Sequence, residues 1–254
     1  MNYELSGSGS PVVLIHGLFG NLDNLKTLAR ALEKAHTVIR IDIPNHGQSE
    51  HTQKMGYDDL AFKVISLLDS LNIGRCHLVG HSMGGKIALA TALYYPERVQ
   101  SVIAVDISPV AYAQRHNDVF NALLSMPLPQ IANRQQALQH LLQKGLDEGT
   151  SQFLLKSLAK NENGFYWKMN LRGLRECYQD LILWTVKDQV YSGPTLFVRG
   201  GDSDYIQLSH KQEILRQFPN TEAKTIQGAG HWLHAQKPVI FNKIVAEFIE
   251  KHDC

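Results

Sequence analysis

The sequence predicts an α/β fold in which a mostly parallel sheet is flanked by helices and interrupted by a helical insertion. Short apolar runs alternate with longer segments of helical periodicity over the first 107 residues, and this alternation returns near Pro194. Between these two parts, residues 108–191 show mostly helical spacing and no convincing buried strand. We therefore expect a core of residues 1–107 and 192–254, and a helical lid of residues 108–191 over the carboxyl ends of the strands.

The elements expected before the insertion follow from the spacing of apolar residues. Strands are predicted at Met1–Leu5, Pro11–Ile15, Thr37–Ile43, Cys76–Val79 and Val99–Val105. Helices are predicted at Leu22–Lys34, Asp58–Leu71 and Met83–Tyr94.

The insertion and the last part of the chain are divided in the same way. Asn133 followed by Gln136 is typical of a helix start, and Gly145 of a helix end. Further helices are expected around Phe153, Leu154, Leu155 and Leu158, and over Leu171–Trp184. The final part is predicted to hold strands at Thr195–Val198 and Ala223–Ile226, and helices at Gln207–Gln217 and Pro238–Lys251.

Composition excludes several classes of protein. Lysine and arginine number 25 against 24 acidic residues, so no nucleic acid or anionic membrane surface is expected as a partner. The longest apolar runs are strand-sized, which predicts no membrane span, and the polar start Met1–Ser10 argues against a secretory signal. Cys76, Cys177 and Cys254 lack the spacing of a disulfide framework or zinc site. We expect a cytoplasmic protein without a metal or cofactor.

The run Gly80-His81-Ser82-Met83-Gly84 carries the strongest functional signal. It is a G-x-S-x-G sequence between a predicted strand and a predicted helix, the setting in which a sharp turn exposes a serine hydroxyl at the top of a sheet. We predict that Ser82 is a nucleophile. The alternative is a serine that only caps a helix in a glycine-rich turn.

A serine needs a base, and the base needs a carboxylate. The best candidate for the base is His231, in the glycine-rich segment Gly228-Ala229-Gly230-His231-Trp232 after the last strand. Two positions are open for the carboxylate: Asp106, after the strand that ends at Val105, and Asp202 or Asp204, after the strand Thr195–Val198.

Two backbone N–H groups are expected to stabilise the negative oxygen of the reaction intermediate. One belongs to Met83, directly after the nucleophile. The other is expected in the loop after the second strand, which points to Leu18 in His16-Gly17-Leu18-Phe19-Gly20.

Together these motifs resemble the α/β-hydrolase superfamily, and within it the small bacterial esterases of the YbfF type and the similar ABHD11-like hydrolases. The resemblance covers nearly the whole chain. Its motifs are His16-Gly17-Leu18-Phe19-Gly20, Asn45-His46-Gly47-Gln48-Ser49, Gly80-His81-Ser82-Met83-Gly84-Gly85-Lys86, Val105-Asp106-Ile107-Ser108-Pro109-Val110, Gln152-Phe153-Leu154-Leu155-Lys156-Ser157 and Gly228-Ala229-Gly230-His231-Trp232.

The resemblance implies a serine hydrolase of carboxylic esters and acyl thioesters, which acts on a small-molecule acyl substrate through an acyl-enzyme. It also implies that the acid follows the strand ending at Val105, which favours Asp106, although Asp202 and Asp204 depart from the relatives' pattern. Two other functions stay open: a cofactor-free lyase or C–C hydrolase of the same fold, and a non-catalytic binder of small ligands.

Overall fold

The centre of the molecule is a seven-stranded sheet. The computed structural model describes residues 1–253. The strands of the sheet are β1 (Tyr3–Ser6), β2 (Ser10–Ile15), β3 (His36–Ile41), β4 (Cys76–His81), β5 (Val99–Val105), β8 (Thr195–Gly200) and β9 (Thr221–Ile226). They lie in the order β1-β3-β2-β4-β5-β8-β9, and only β1 is antiparallel to its neighbour, so the sheet is mostly parallel.

Helices cover both faces of this sheet. Three pack on one face: α1 (Lys26–Leu32), α10 (Leu233–Gln236) and α11 (Pro238–Lys251). Two others, α2 (Tyr57–Ser70) and α3 (Met83–Tyr94), pack on the opposite face. The helix α9 (Lys211–Gln217) joins β8 to β9. Since both faces are covered, the central strands are almost entirely buried, which explains the apolar runs at their centres, such as Leu78-Val79 in β4 and residues 102–105 in β5.

Residues 108–191 lie between β5 and β8, and we call them the inserted segment. They form the helices α4 (Asn117–Leu124), α5 (Arg134–Gln143), α6 (Glu148–Leu155), α7 (Leu171–Glu176) and α8 (Tyr178–Ile182). Their apolar side chains join the same core cluster as α2 and α3, so the inserted segment packs on that face of the molecule.

One helix assignment in this segment was wrong, because α6 ends at Leu155 and Leu158 begins the strand β6 (Leu158–Asn161), which pairs with β7 (Gly164–Trp167). Leu158, which we assigned to a helix, pairs with Trp167 in this hairpin. Gly164 has a φ of +109°, a conformation that ends helical structure and suits a tight turn. The Asn163-Gly164 pair before three aromatic residues is the signal that indicates such a hairpin.

Two predicted helices also begin later than expected. Leu22–Leu25 and Leu208–His210 are 3₁₀ turns, and the regular helices α1 and α9 start directly after them. Helix α5 begins as predicted, with the Asn133 side chain accepting a hydrogen bond from the Gln136 N–H.

The longest helices of the fold, α2 and α11, have 14 residues each. At 1.5 Å per residue each is about 21 Å long, shorter than the hydrocarbon layer of a bilayer. Within residues 1–253 no helix is long and apolar enough to cross a membrane.

Candidate active site

Ser82 lies in the sharp turn between β4 and α3. Its backbone has φ 54° and ψ −120°, a conformation that residues other than glycine rarely adopt. Two glycines make this turn possible. A Cβ on Gly80 would lie 2.0 Å from the Gly84 carbonyl oxygen, and one on Gly84 would lie 2.3 Å from the Ile15 carbonyl oxygen. The turn therefore needs glycine at both positions.

His231 reaches the serine from the loop after β9. Its Nε2 lies 3.0 Å from Ser82 Oγ, and its Nδ1 lies 2.7 Å from Asp106 Oδ2. Because an ionised carboxylate can only accept, the proton of the neutral ring lies on Nδ1. This leaves Nε2 free to accept the hydrogen bond from the serine hydroxyl.

The carboxylate of Asp106 is fully buried and follows β5, the strand next to β4. It accepts three hydrogen bonds: from the Gly200 N–H at 3.0 Å, from the Ser203 hydroxyl and from His231. The Asp106 backbone has a positive φ of 51°, a left-handed conformation that aspartate adopts more readily than most residues. These three donors stabilise the negative charge of the carboxylate next to the imidazole ring.

The two later carboxylates lie elsewhere. Asp202 is exposed, and its N–H donates to the Ala229 carbonyl at 2.9 Å. Asp204 is exposed and forms an ion pair with Arg115, with 2.9 Å between Nη1 and Oδ1. The structure therefore brings Asp106, and not the later pair, to His231. The loop after β8 instead contributes Ser203, which lies between Asp202 and Asp204 and donates its hydroxyl to Asp106.

Leu18 and Met83 both line the same pocket as Ser82. Met83 is the first residue of α3, so its N–H has no partner within the helix. Leu18 lies in a turn closed by a hydrogen bond from the Gly20 N–H to the Gly17 carbonyl at 3.0 Å. Leu18 and Met83 thus reach the pocket of Ser82 from separate elements, the loop after β2 and the start of α3.

The pocket beside Ser82 is narrow, with a volume of about 40 Å³. Half of its lining comes from the inserted segment, through Tyr112, Arg115, His116, Tyr178, Leu181 and Ile182. The core provides Leu18, Ser82, Met83, Lys86, Ile107 and Tyr205. Five other aromatic residues of the inserted segment are absent from the lining formed by the described residues: Phe153, Phe165, Tyr166, Trp167 and Trp184.

Lys86 is a buried cation at the wall of this pocket. Its Nζ donates to the carbonyls of Ile182 and Leu183, each at 3.0 Å, at the end of α8. It also lies 5.0 to 5.9 Å from the ring centres of Tyr57, Tyr112 and Trp184. Burial lowers the pKa of Lys86 to about 7, although the carbonyls and rings favour the charged form.

The sequence did not indicate a polar cluster in the pocket that is formed by His116, Tyr178 and Tyr205. His116 contacts the hydroxyls of Tyr178 at 2.7 Å and Tyr205 at 3.3 Å. The Tyr205 ring stacks on His231, with ring centres 3.8 Å apart and planes 16° apart. Burial, together with the nearby His231 and Arg115, lowers the pKa of His116 to about 4. No spacing rule connects these residues, because they come from the inserted segment and from the loop after β8.

Across the part of the chain that the structure describes, no group of three or more His, Cys, Asp or Glu side chains could hold a metal ion. Three histidines lie close together at the site: the His81 ring centre is 4.8 Å from that of His231 and 4.4 Å from that of His234, with tilted planes. His81 Nε2 donates to the His231 carbonyl at 2.8 Å, so it supports the loop that carries His231.

Fold and site together define an α/β protein with a strained serine turn at the carboxyl edge of its sheet. A model of the family described as "alpha/beta hydrolase fold" matches residues 10–238. The chain belongs to the α/β-hydrolase superfamily.

Comparison with individual proteins gives the activity class. The chain is 39% identical to "Esterase YbfF" of Escherichia coli, over 91% of this chain and 89% of the relative. It is 37% identical to "sn-1-specific diacylglycerol lipase ABHD11" of Mus musculus, over 94% and 80%. A solved structure titled "Marine microorganism esterase" superposes with a TM-score of 0.93 at 32% identity, covering 97% of this chain and 98% of the other. These names support a hydrolase of the esterase and lipase type.

Proposed function

We propose that the chain is a serine carboxylesterase that uses Ser82, His231 and Asp106 as its catalytic triad. The observation that carries this proposal is the continuous line of hydrogen bonds from Asp106 through His231 to Ser82, which ends in a pocket. An isolated serine hydroxyl is a poor nucleophile, and this line supplies the base and the charge that activate it.

The reaction follows from the geometry in two stages. Ser82 Oγ attacks the acyl carbon of the ester while its proton moves to His231 Nε2, and Asp106 stabilises the resulting imidazolium. The negative oxygen of the tetrahedral intermediate accepts hydrogen bonds from the N–H groups of Leu18 and Met83. When the intermediate collapses, the bond to the leaving alcohol breaks, and the alcohol oxygen takes the proton from Nε2.

Water completes the cycle. It attacks the acyl-enzyme while Nε2 accepts one of its protons, and that proton then returns to Ser82 Oγ as the acid leaves. The same steps accommodate an acyl-CoA thioester, since a thiolate also leaves readily and takes the same proton. We include acyl thioesters in the proposed substrate class for this reason.

We also propose that the inserted segment acts as the lid of the site, with residues 1–107 and 192–254 as the catalytic core. Six of its residues line the pocket, so it contributes directly to the space that an acyl chain enters. A lid that supplies half of the lining sets the size and polarity of the accepted acyl group.

The proposal is tested by comparing the wild-type protein with Ser82→Ala. Wild type should hydrolyse short p-nitrophenyl esters and react covalently with a fluorophosphonate probe. Ser82→Ala should not label and should lose at least about a hundredfold in kcat, since the nucleophile itself is absent. Its thermal unfolding midpoint should stay close to that of wild type, because the glycines of the turn are unchanged.

Other outcomes identify the alternatives. Failure of the wild-type protein to label with the probe would overturn the proposal and indicate a non-catalytic binder. Labelling of wild type without cleavage of p-nitrophenyl esters or acyl-CoA thioesters of any chain length would instead favour a lyase or C–C hydrolase.

A further inference from the structure

Phe19 occupies a strained position next to Leu18. It has a φ of +65° and is the third residue of the turn Gly17–Gly20, a position that normally requires glycine. Its side chain is buried. Such a conformation persists only when the surrounding structure holds it, so the contacts of the Phe19 backbone maintain the turn that contains Leu18.

The core holds the peptide that precedes Phe19. The Phe19 N–H donates to His46 Nε2 at 3.2 Å, and His46 Nδ1 donates to the Pro44 carbonyl at 3.0 Å. Both ring nitrogens are therefore committed, and the acceptor is a neutral imidazole. Burial, with the neighbouring His16, lowers the pKa of His46 to about 3, which keeps the ring neutral at ordinary pH.

The peptide that follows Phe19 is held by the inserted segment. Ser157, between α6 and β6, donates its hydroxyl to the Phe19 carbonyl at 2.7 Å. The same hydroxyl accepts a hydrogen bond from Asn21 Nδ2 at 3.1 Å. Ser157 is buried, so this contact exists only where the inserted segment lies against the core.

We propose that Ser157 is a positioning residue for the Leu18 N–H, so that docking of the inserted segment completes the oxyanion hole. This inference rests on the proposed function. One peptide beside Phe19 is fixed by the core and the other by the inserted segment. When the segment lifts to admit substrate, the Phe19 carbonyl loses its partner and the strained turn can relax. Transition-state stabilisation is then coupled to closure over the substrate.

The test compares Ser157→Ala with the matched variant Ser151→Ala. Ser151 is also a buried serine of the inserted segment, in α6, but its hydroxyl has no hydrogen-bond partner among the described residues. Ser157→Ala should lower kcat for a short p-nitrophenyl ester about tenfold with little change in KM, since a donor is misplaced and not removed. Ser151→Ala should retain wild-type kcat and KM.

Two inhibitors distinguish a misplaced oxyanion-hole donor from a general loss of ligand binding. An alkyl trifluoromethyl ketone forms a tetrahedral adduct with Ser82 and needs the oxyanion donors, whereas the corresponding alcohol does not. Ser157→Ala should weaken binding of the ketone by the same factor as kcat and leave binding of the alcohol unchanged. An unchanged kcat, or equal weakening of both inhibitors, would overturn the inference.

Hydrogen exchange of the free protein keeps this inference separate from the proposed function. The amides of residues 18–20 should exchange faster in Ser157→Ala than in wild type or Ser151→Ala. If wild type is inactive and unlabelled but this exchange difference appears, the proposed function fails and the contact to the loop stands. If wild type is active and Ser157→Ala matches it in kcat, the positioning role alone fails.

Discussion

The Asp106 carboxylate lies beneath His231 with no exposed surface and three hydrogen-bond donors around it. Asp106→Asn keeps the size of the side chain but replaces the oxygen that faces His231 Nδ1 with an NH₂ group, because the other oxygen accepts from the Gly200 N–H. The ring then favours the tautomer with its proton on Nε2, which cannot accept from Ser82. We expect kcat on p-nitrophenyl esters to fall by about a thousandfold or more, with the fold retained by circular dichroism.

The matched control for this change is Asp204→Asn. Asp204 is exposed and pairs with Arg115, and an exposed ion pair contributes about 1 kcal/mol or less. The kcat of Asp204→Asn should stay within about threefold of the wild-type value. A nearly silent Asp106→Asn beside a crippled Asp204→Asn would assign the acid to the loop after β8.

Lys86 allows a prediction about stability. Its pKa in the folded protein is lowered to about 7 from an ordinary value of 10.5. Between these values the unfolded chain holds the proton and the folded chain releases it, so the unfolded state binds more protons. The free energy of unfolding contributed by this site must therefore rise as the pH increases from about 7 to 10.5, and each pKa unit corresponds to about 1.4 kcal/mol.

The measurement is urea unfolding of wild type and Lys86→Met across this pH range. The variant cannot titrate at residue 86, so the difference in unfolding free energy, wild type minus variant, should increase with pH by up to several kcal/mol. A difference that stays constant from pH 7 to 10 would show that the carbonyls of Ile182 and Leu183 hold the charged amine at its ordinary pKa.

Single residues differ in how far the sequence reveals them. Ser82 and His231 could be predicted because the motif around each carries the local backbone geometry that the chemistry requires. Asp106 could only be favoured through the family resemblance, since two loops offer a carboxylate at the same sheet edge. The contacts of Ser203 and Ser157 could not be predicted, although Ser157 ends one of the motifs of the resemblance, because their partners lie 97 and 138 residues away.

At the scale of elements, the contact between β4 and α3 around the serine turn is the closest in the site. Gly80→Ala would place a Cβ 2.0 Å from the Gly84 carbonyl oxygen, and backbone cannot move aside as a flexible side chain can. We expect a loss of about 3 kcal/mol or more in unfolding free energy, or failure to fold, measured by urea denaturation.

Gly74→Ala is the matched control, because no atom lies within 4 Å of a Cβ at that position. It should change stability by less than about 1 kcal/mol in either direction. Equal stability of the two variants would mean that β4 and α3 can separate without cost, contrary to the geometry of the turn.

The regular elements of the core follow from the sequence because local pattern and tertiary environment agree there. Buried parallel strands such as β4 and β5 need apolar residues at their centres, here Leu78-Val79 and residues 102–105, and these short runs are easily recognised. The β6–β7 hairpin is different, since it has only four residues on each strand and most of them are not buried. Because the hairpin has no buried face, its sequence shows no regular alternation of apolar and polar residues. Its turn residues are therefore the only local signal.

At the scale of the whole molecule, the two parts of the chain differ in what holds them. The sheet is packed by helices on both faces, whereas the helices of the inserted segment have 5 to 10 residues and depend on tertiary contacts for stability. Polar contacts attach the segment at separate points, through Ser157, Lys86 and the hydrogen bond from the Asn170 N–H to the Asn45 carbonyl. Local opening of the segment should therefore require less free energy than unfolding of the sheet.

Native-state hydrogen exchange measures this difference. Amides of β4, β5 and α3 should exchange only through global unfolding, while those of α5, α6 and the β6–β7 hairpin should exchange through smaller openings with weaker dependence on urea. Covalent reaction of Ser82 with a fluorophosphonate should slow exchange in the inserted segment more than in the sheet, because the bound group fills the pocket that the segment lines. Identical exchange free energies in both regions would show that the segment and the sheet open only as one cooperative unit, and the segment could not then act as a lid.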